Sequence, residues 1–368
     1  METLRILAVG GLLPSDPRAG GGQRVAYEMS ETLARIGHIV DYVYTCKALQ
    51  GGPTNWGNPV NLDSIGHITQ FMKSKALVSG NYDIIHIHQG TETSGLCLGL
   101  GLQRLLGIRS KLVLSIHAPE VHSFPRSVNE AFTGITARNS DITLSMSEFA
   151  RKNIAKAYHI PEVRVCVSYG GIDTDRVVRK EWTPKNRGFV LLFCGRFNWY
   201  REQKGLDILL RSLPLVVRNH QVRLNVAGSG TGIELYRALA GKLGIEKHVA
   251  FLGFINRNEL MNLYANADLF VLPSRRESFG MVLIEAMASG LPVVSTKVGA
   301  IPEVVRDGET GILVNPDSPR ELAEAICTLL DDYERMKSMG SCGRELVLKN
   351  FVWDVVAQRV VECYEKVL

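Results

Sequence analysis

The stretch LFVLPSRRESFGMVLIEAMASGLPVVST, residues 269–296, reads as a strand, a loop, a helix and a second strand. LFVLPS (269–274) and PVVST (292–296) are short, apolar and β-branched, and the helix between them is expected to begin near Phe279. Two strands joined by a helical crossover run parallel, so this unit predicts a parallel sheet with helices packed on it. Ser278 is a suitable N-cap residue, but position 281 is Met, so no capping box closes. The first-turn N–H groups and the helix dipole then make an anion site. Glu277 stands before the helix and Glu285 inside it, roughly 9 Å along the axis at 1.5 Å per residue. An anion between two carboxylates fits a sugar–diphosphate–nucleoside, one carboxylate accepting from the sugar and the other from the ribose. By spacing alone, an electrostatic helix cap and a solvated surface glutamate account for the pair equally well.

The same alternation runs outward in both directions. Candidate strands are 5–11, 39–45, 83–89, 111–117, 141–147 and 163–169, then 189–195, 222–228, 248–254, 269–274, 292–296 and 311–314. Helical patterns such as 25–37, 205–219 and 234–244 lie between them. This is an α/β pattern of two doubly wound sheets in tandem. The polar segment KEWTPKNR (180–187) separates the two series and is expected to be the linker. The domains are therefore placed at 1–180 and 187–350, with a helical pattern at 351–368. Ligands bind beyond the carboxyl ends of such strands, so a cleft between two facing sheet edges is the expected site.

Composition narrows the classes. A chain of 368 residues with 45% hydrophobic and 21% charged residues suits two globular domains. The net charge of +5 is mild, and basic residues are neither clustered nor interleaved with aromatics, which argues against nucleic acid. Seven scattered cysteines without a CxxC pair suggest reduced thiols in a reducing compartment. The start reads as a buried strand and not as a signal peptide, and Ser94 to Gly107 is too short to span a bilayer. The expected location is cytoplasmic, at most on the membrane surface.

Other residues are candidates for chemistry. Arg196 ends one strand, and Lys204 and Gly205 open the next helix, where two cations would hold a diphosphate. For an isolated pair, solvated surface cations are the commoner case. In VAGSGTGIELY (226–236) position 233 is Ile, so the dinucleotide fingerprint fails and a tight strand-to-helix turn is expected. Gly20, Gly21 and Gly22 precede a helix, as in a loop approaching a phosphate or sugar. His86 and His88 share a strand face without a complete metal-ligand set, and His117 at a strand end is better placed for substrate. Asp173 and Asp175 form a DxD in a turn-like, structural setting.

Taken in order, FCGR, KG, AGSG, ANADLFVLPS, ESFGMVLIEAMASGLPVVST and VGAIPEVVRDGETGILV resemble the retaining glycosyltransferases of family 4, with the GT-B fold. The resemblance covers essentially the whole chain and is strongest in its C-terminal half. It implies that Glu277 contacts the donor sugar, Ser278, Phe279, Gly280 and Met281 hold sugar and phosphate, and Glu285 binds the ribose. It also implies that Arg196 and Lys204 bind the diphosphate, His117 contacts the donor sugar, and Gly21 and Gly22 approach phosphate or acceptor. Two departures stand out. Gln23 occupies a position where the family often has Glu, an acceptor-binding position, and the longer Arg-to-Lys spacing allows Arg201 to share the role of Lys204. The final helix would cross back onto the first domain.

The implied activity is a retaining, metal-independent transfer from a nucleotide-sugar, UDP being the commonest in similar proteins, to a sugar, glycolipid or small-molecule acceptor. No cofactor is expected. The setting would be glycan, glycolipid or envelope polysaccharide synthesis, with peripheral membrane association as an option. A nucleotide-sugar 2-epimerase of the same fold and a non-catalytic sugar-nucleotide sensor are the competing classes. Loops 47–64 and 118–127 would set acceptor choice.

Overall fold

The computed structural model describes residues 2–11, 21–44, 60–61, 81–89, 94–105, 109–117, 128–183, 188–197 and 203–368. Arg201, Gly20, the 118–127 loop and most of the 47–64 loop lie outside the described residues. The chain forms two compact units, residues 1–171 with 353–368, and residues 172–352.

In the first unit the strands are β1 (Arg5–Gly11), β2 (Ile39–Tyr44), β3 (Val60–Asn61), β4 (Ile84–His88), β5 (Lys111–Ile116), β6 (Ile142–Ser145) and β7 (Val165–Val167). They form one parallel sheet in the order β3-β2-β1-β4-β5-β6-β7, with Leu7 opposite Ile85. Every residue of β4 is buried, as expected where helices cover both faces of a parallel sheet. The core runs through Leu7, Val9, Ile85, Ile87, Leu112 and Leu114. The two-residue β3 falls within a segment read from sequence as loop.

The C-terminal helix, Trp353–Glu365, belongs to this unit. Trp353 Nε1–H donates to Glu28 Oε2 at 2.9 Å, and Arg35 pairs with Asp354 at 2.6 Å, both on the Gly21–Arg35 helix. Deeper in, the Tyr364 hydroxyl and His86 Nδ1 are 2.7 Å apart.

The second unit carries β8 (Phe189–Cys194), β9 (Val222–Ala227), β10 (Val249–Gly253), β11 (Leu269–Leu272), β12 (Val293–Thr296) and β13 (Gly311–Val314). Their order is β10-β9-β8-β11-β12-β13, all parallel. Strand order reverses between β8 and β11, where Leu269 sits opposite Leu191. Beyond the carboxyl ends of these two strands lies the topological switch point, the usual ligand position of a doubly wound sheet.

The boundary differs from the linker read at 180–187. Residues 172–180 belong to the second unit, and both ends of the stretch bond to it. Ile172 N–H donates to Phe351 O at 2.8 Å, and Lys180 N–H donates to Ser289 O at 2.7 Å. Lys180 Nζ also pairs with Asp268 at 3.3 Å, both side chains nearly inaccessible at 4% and 1%. Polar composition marked 180–187 as a linker; a buried ion pair ties down its first residue, Lys180, and residues 184–187 lie outside the described residues. The Asp173–Asp175 motif is a turn: Asp173 accepts from Asp175 N–H at 3.1 Å and pairs with Arg176 at 2.9 Å.

Candidate active site

In the second unit β8 leads to Arg196, which is exposed, and then to Lys204 and Gly205 before the Leu206–Val216 helix. Gly205 has φ +73°, and a Cβ there would fall 1.9 Å from Pro273 O, just past β11. Only glycine allows the two loops to approach this closely, so the glycine after Lys204 is a packing requirement. A backbone bond from Arg275 N–H to Gln203 O at 2.7 Å ties the same loops together. Arg275 itself forks onto Asp207 at 2.7 and 2.8 Å and reaches Asp317 at 2.6 Å, fixing the loop that carries Glu277.

The outcome is that Lys204 Nζ lies 2.5 Å from Glu277 Oε2, with side-chain exposures of 30% and 8%. Two residues 73 positions apart thus meet at the switch point. Ala300 N–H donates to Glu277 O at 3.1 Å, bracing the loop from the far side.

The helix after Glu277 runs Met281–Ala288, and its N-cap is Gly280, not Ser278. Gly280 adopts φ +97°, a left-handed conformation in which a Cβ would also crowd Leu283 Cδ1 at 2.8 Å. That glycine sets the helix start two residues later than the sequence pattern indicated. It supplies no side-chain hydrogen bond, so the positive end of the helix dipole is not offset by a capping side chain. Phe279 is buried against Phe351, which fixes the joint.

Glu285 is not a solvated surface charge. It is 3% exposed, and Tyr264 O–H donates to its Oε2 at 3.1 Å. Sequence gave no pointer to Tyr264, which lies on the separate Arg257–Asn266 helix.

In the first unit Gly21, Gly22 and Gln23 form the first turn of the Gly21–Arg35 helix and not a loop before it. A Cβ on Gly22 would sit 3.3 Å from His117 Cβ, so the structure brings Gly22 and His117 side by side. His117 Nε2 and His88 Nδ1 are 3.1 Å apart with stacked rings, and His86 is next along the strand with Nε2 2.7 Å from Ser115 Oγ. His88, read from sequence only as an incomplete metal ligand, is therefore the partner of His117. No group of three or more His, Cys, Asp or Glu that could hold a metal occurs among the described residues. No helix among them is long and apolar enough to cross a membrane.

The family model for glycosyl transferases group 1 matches residues 175–346, and that for Glycosyltransferase Family 4 matches residues 19–176. A GDP-mannose-dependent alpha-(1-6)-phosphatidylinositol monomannoside mannosyltransferase of Mycobacterium tuberculosis is 30% identical over 70% of each chain. The chain belongs to glycosyltransferase family 4. This glycosyltransferase is also 28% identical, over 95% of each chain, to an uncharacterized glycosyltransferase of Methanocaldococcus jannaschii. Its two doubly wound units have the GT-B fold, as in the Anabaena protein HepE crystallised with UDP, at TM-score 0.79 and 20% identity over 99% and 100% of the two chains.

The histidine column of the glycosyltransferase has a pH signature. Burial pushes His86 down to about 3 and His117 to about 4. His88 is held well below the ordinary value by burial, then by its two histidine neighbours. All three are neutral in the fold, whereas the unfolded chain takes up protons near pH 6.5. Stability from this column is complete above pH 6.5 and is lost as pH falls from there toward 4. The expected slope is about 1.4 kcal/mol per pH unit for each histidine kept neutral. Urea unfolding at pH 7.5, 5.5 and 4.5 checks this, and His86→Gln is expected to flatten the slope.

Proposed function

We propose that this glycosyltransferase moves a sugar from a nucleotide-sugar donor to an acceptor hydroxyl with retention of configuration and without a metal ion. The observation that carries the reading is the Lys204–Glu277 pair, 2.5 Å apart at the switch point, beside a helix whose N-cap residue offers no capping side chain. As the sugar–phosphate bond breaks, positive charge spreads over the sugar ring and negative charge gathers on the diphosphate. Lys204, Arg196 and the backbone of Ser278, Phe279, Gly280 and Met281 at the helix terminus offset that negative charge, which fixed dipoles and cations do without reorganising. Glu277 orients the donor sugar through its hydroxyls. Glu285, already held by Tyr264, accepts from the ribose.

In the same proposal neutral His117 contacts the donor sugar, Gly21 and Gly22 allow close backbone approach, and Gln23 serves the acceptor. Arg201 shares the diphosphate with Lys204. The acceptor hydroxyl attacks on the face from which the diphosphate leaves, and a diphosphate oxygen takes its proton. UDP is the first base to test, supported by the UDP bound in the Anabaena structure, and GDP the second, supported by the mannosyltransferase relative. The phosphatidylinositol monomannoside in that relative's name also supports a glycolipid acceptor.

A thermal-shift screen of UDP- and GDP-sugars identifies the donor, since a ligand of the folded state raises Tm. Product NMR with that donor and a panel of polyol, sugar and phosphoinositide acceptors then reads the chemistry. The expected product keeps the donor's anomeric configuration, and EDTA leaves the rate unchanged. An inverted product, or activity abolished by EDTA and restored by a divalent cation, overturns the mechanism. A new nucleotide sugar formed without acceptor assigns the chain to the epimerases instead.

A further inference from the structure

A second set of reactive side chains lies in the first unit and shares no residue with the candidate site. A cavity of about 530 Å³ opens between the Glu148–Tyr158 helix, β7 and the C-terminal helix. Cys166 on β7 and Cys363 on the C-terminal helix both line it. Lys366 Nζ, one turn beyond Cys363, donates to Cys166 Sγ at 3.6 Å. Arg151 faces the same space while pairing with Glu148 at 2.9 Å and Glu162 at 3.6 Å. Arg359, stacked 5.3 Å over Tyr169, and Glu362 complete the charged lining. Cys166 is partly exposed and Cys363 only 4% exposed, and both are reduced in this structure.

We propose that Cys166 and Cys363 are a redox modification site: a hydroperoxide oxidises Cys166, and Cys363 then closes a disulfide that staples the C-terminal helix to β7. In the first step the Cys166 thiolate attacks the peroxide O–O bond. An S–O bond forms, the O–O bond breaks, and the departing hydroxide takes a proton to become water. In the second step Cys363 attacks the Cys166 sulfenic acid, so that the S–S bond forms, the S–O bond breaks and a second water leaves. Two thiols lose two electrons and two protons in total, and hydrogen peroxide is reduced to two waters.

The surroundings assign the two roles. The neighbouring Cys363 thiol, then Lys366 and Arg151, lower the Cys166 thiol against the opposing effect of burial. With Lys366 Nζ against its sulfur and the more exposed position of the two, Cys166 is the thiol favoured as thiolate, the form that reacts. The neighbouring Cys166 thiol and burial push Cys363 up, which suits a resolving thiol that reacts second. The carboxylates of Glu148, Glu162 and Glu362 face the same cavity, but Glu148 and Glu162 are already paired with Arg151. The staple would join positions 166 and 363, which a long stretch of chain separates in sequence, and so oppose local release of the C-terminal helix.

The test uses the full, reduced chain treated with one equivalent of hydrogen peroxide at pH 7, followed by alkylation and peptide mass mapping. A linked peptide pair carrying Cys166 and Cys363 is expected, with slower proteolysis of the C-terminal helix that dithiothreitol reverses. In Cys363→Ser, oxidation is expected to stop at a Cys166 sulfenic acid trapped by dimedone. Lys366→Met is expected to slow the reaction about threefold or more at pH 7, and the rate recovers by pH 9 as the thiolate forms without its lysine. Melting curves of each variant verify the fold. The proposal is overturned if folded Cys166 reacts no faster than Cys342, if the linked pair involves another cysteine, or if Lys366→Met leaves the rate at pH 7 unchanged.

Discussion

Glu277→Ala is expected to lower kcat by about 100- to 1,000-fold, the size seen when one preorganised transition-state contact is removed. The carboxylate has two tasks in the proposed mechanism, gripping the donor sugar and holding Lys204 at 2.5 Å. Its loss misplaces the sugar and frees the cation that must meet the leaving diphosphate. Stability is expected to change little, by about 1 kcal/mol or less, because Lys204 is 30% exposed and can turn to water. Glu277→Gln preserves shape and some hydrogen bonding, so it should fall between wild type and Glu277→Ala. Steady-state kinetics with the donor found by thermal shift, together with melting curves, separate lost chemistry from lost fold. Near-normal turnover in Glu277→Ala would remove this residue from the mechanism.

The largest stability effect is expected away from the site, at Asp268. One carboxylate oxygen accepts from Val190 N–H at 2.7 Å and the other faces Lys180 Nζ at 3.3 Å. Lys180 Nζ also donates to Ala267 O at 2.5 Å. With both side chains almost completely buried, Asp268→Ala leaves an ammonium without its counter-charge, expected to cost about 3–5 kcal/mol. The double variant Lys180→Met, Asp268→Leu removes both charges and is expected to recover most of that loss, because an apolar pair carries no desolvation penalty. Denaturant unfolding of the single and double variants measures the coupling directly. Equal destabilisation in both would show that the backbone contact of Asp268, and not its ion pair, is what matters.

These two positions show what sequence does and does not expose. Glu277 was legible because its neighbours form a strand–loop–helix–strand pattern, and hydrophobic period is a local property of the chain. The twelve strands read from that period all reappear in the two sheets, and their alternation with helices fixed the doubly wound class before any contact was known. Asp268 was not legible, since nothing local distinguishes a buried aspartate with a distant lysine from one at a turn. The division after residue 171 was not legible for the same reason: Lys180, polar in composition, is buried in the second unit.

The glycines divide along the same line. Gly280 was visible as part of the joint, but its left-handed backbone, which moves the helix start from Phe279 to Met281, depends on the packing of Leu283 and Glu277 around it. Tyr264 under Glu285, and His88 beside His117, are meetings between elements far apart in the chain.

The sequence alone determined the α/β class, the strand positions and the family, because periodicity and motif spacing are written in consecutive residues. Only the tertiary structure decided that Lys204 meets Glu277, that Glu285 is buried, and that residues 172–180 belong with the second unit. Burial and pairing are set by what the rest of the chain brings to a side chain, and that is a property of the folded molecule.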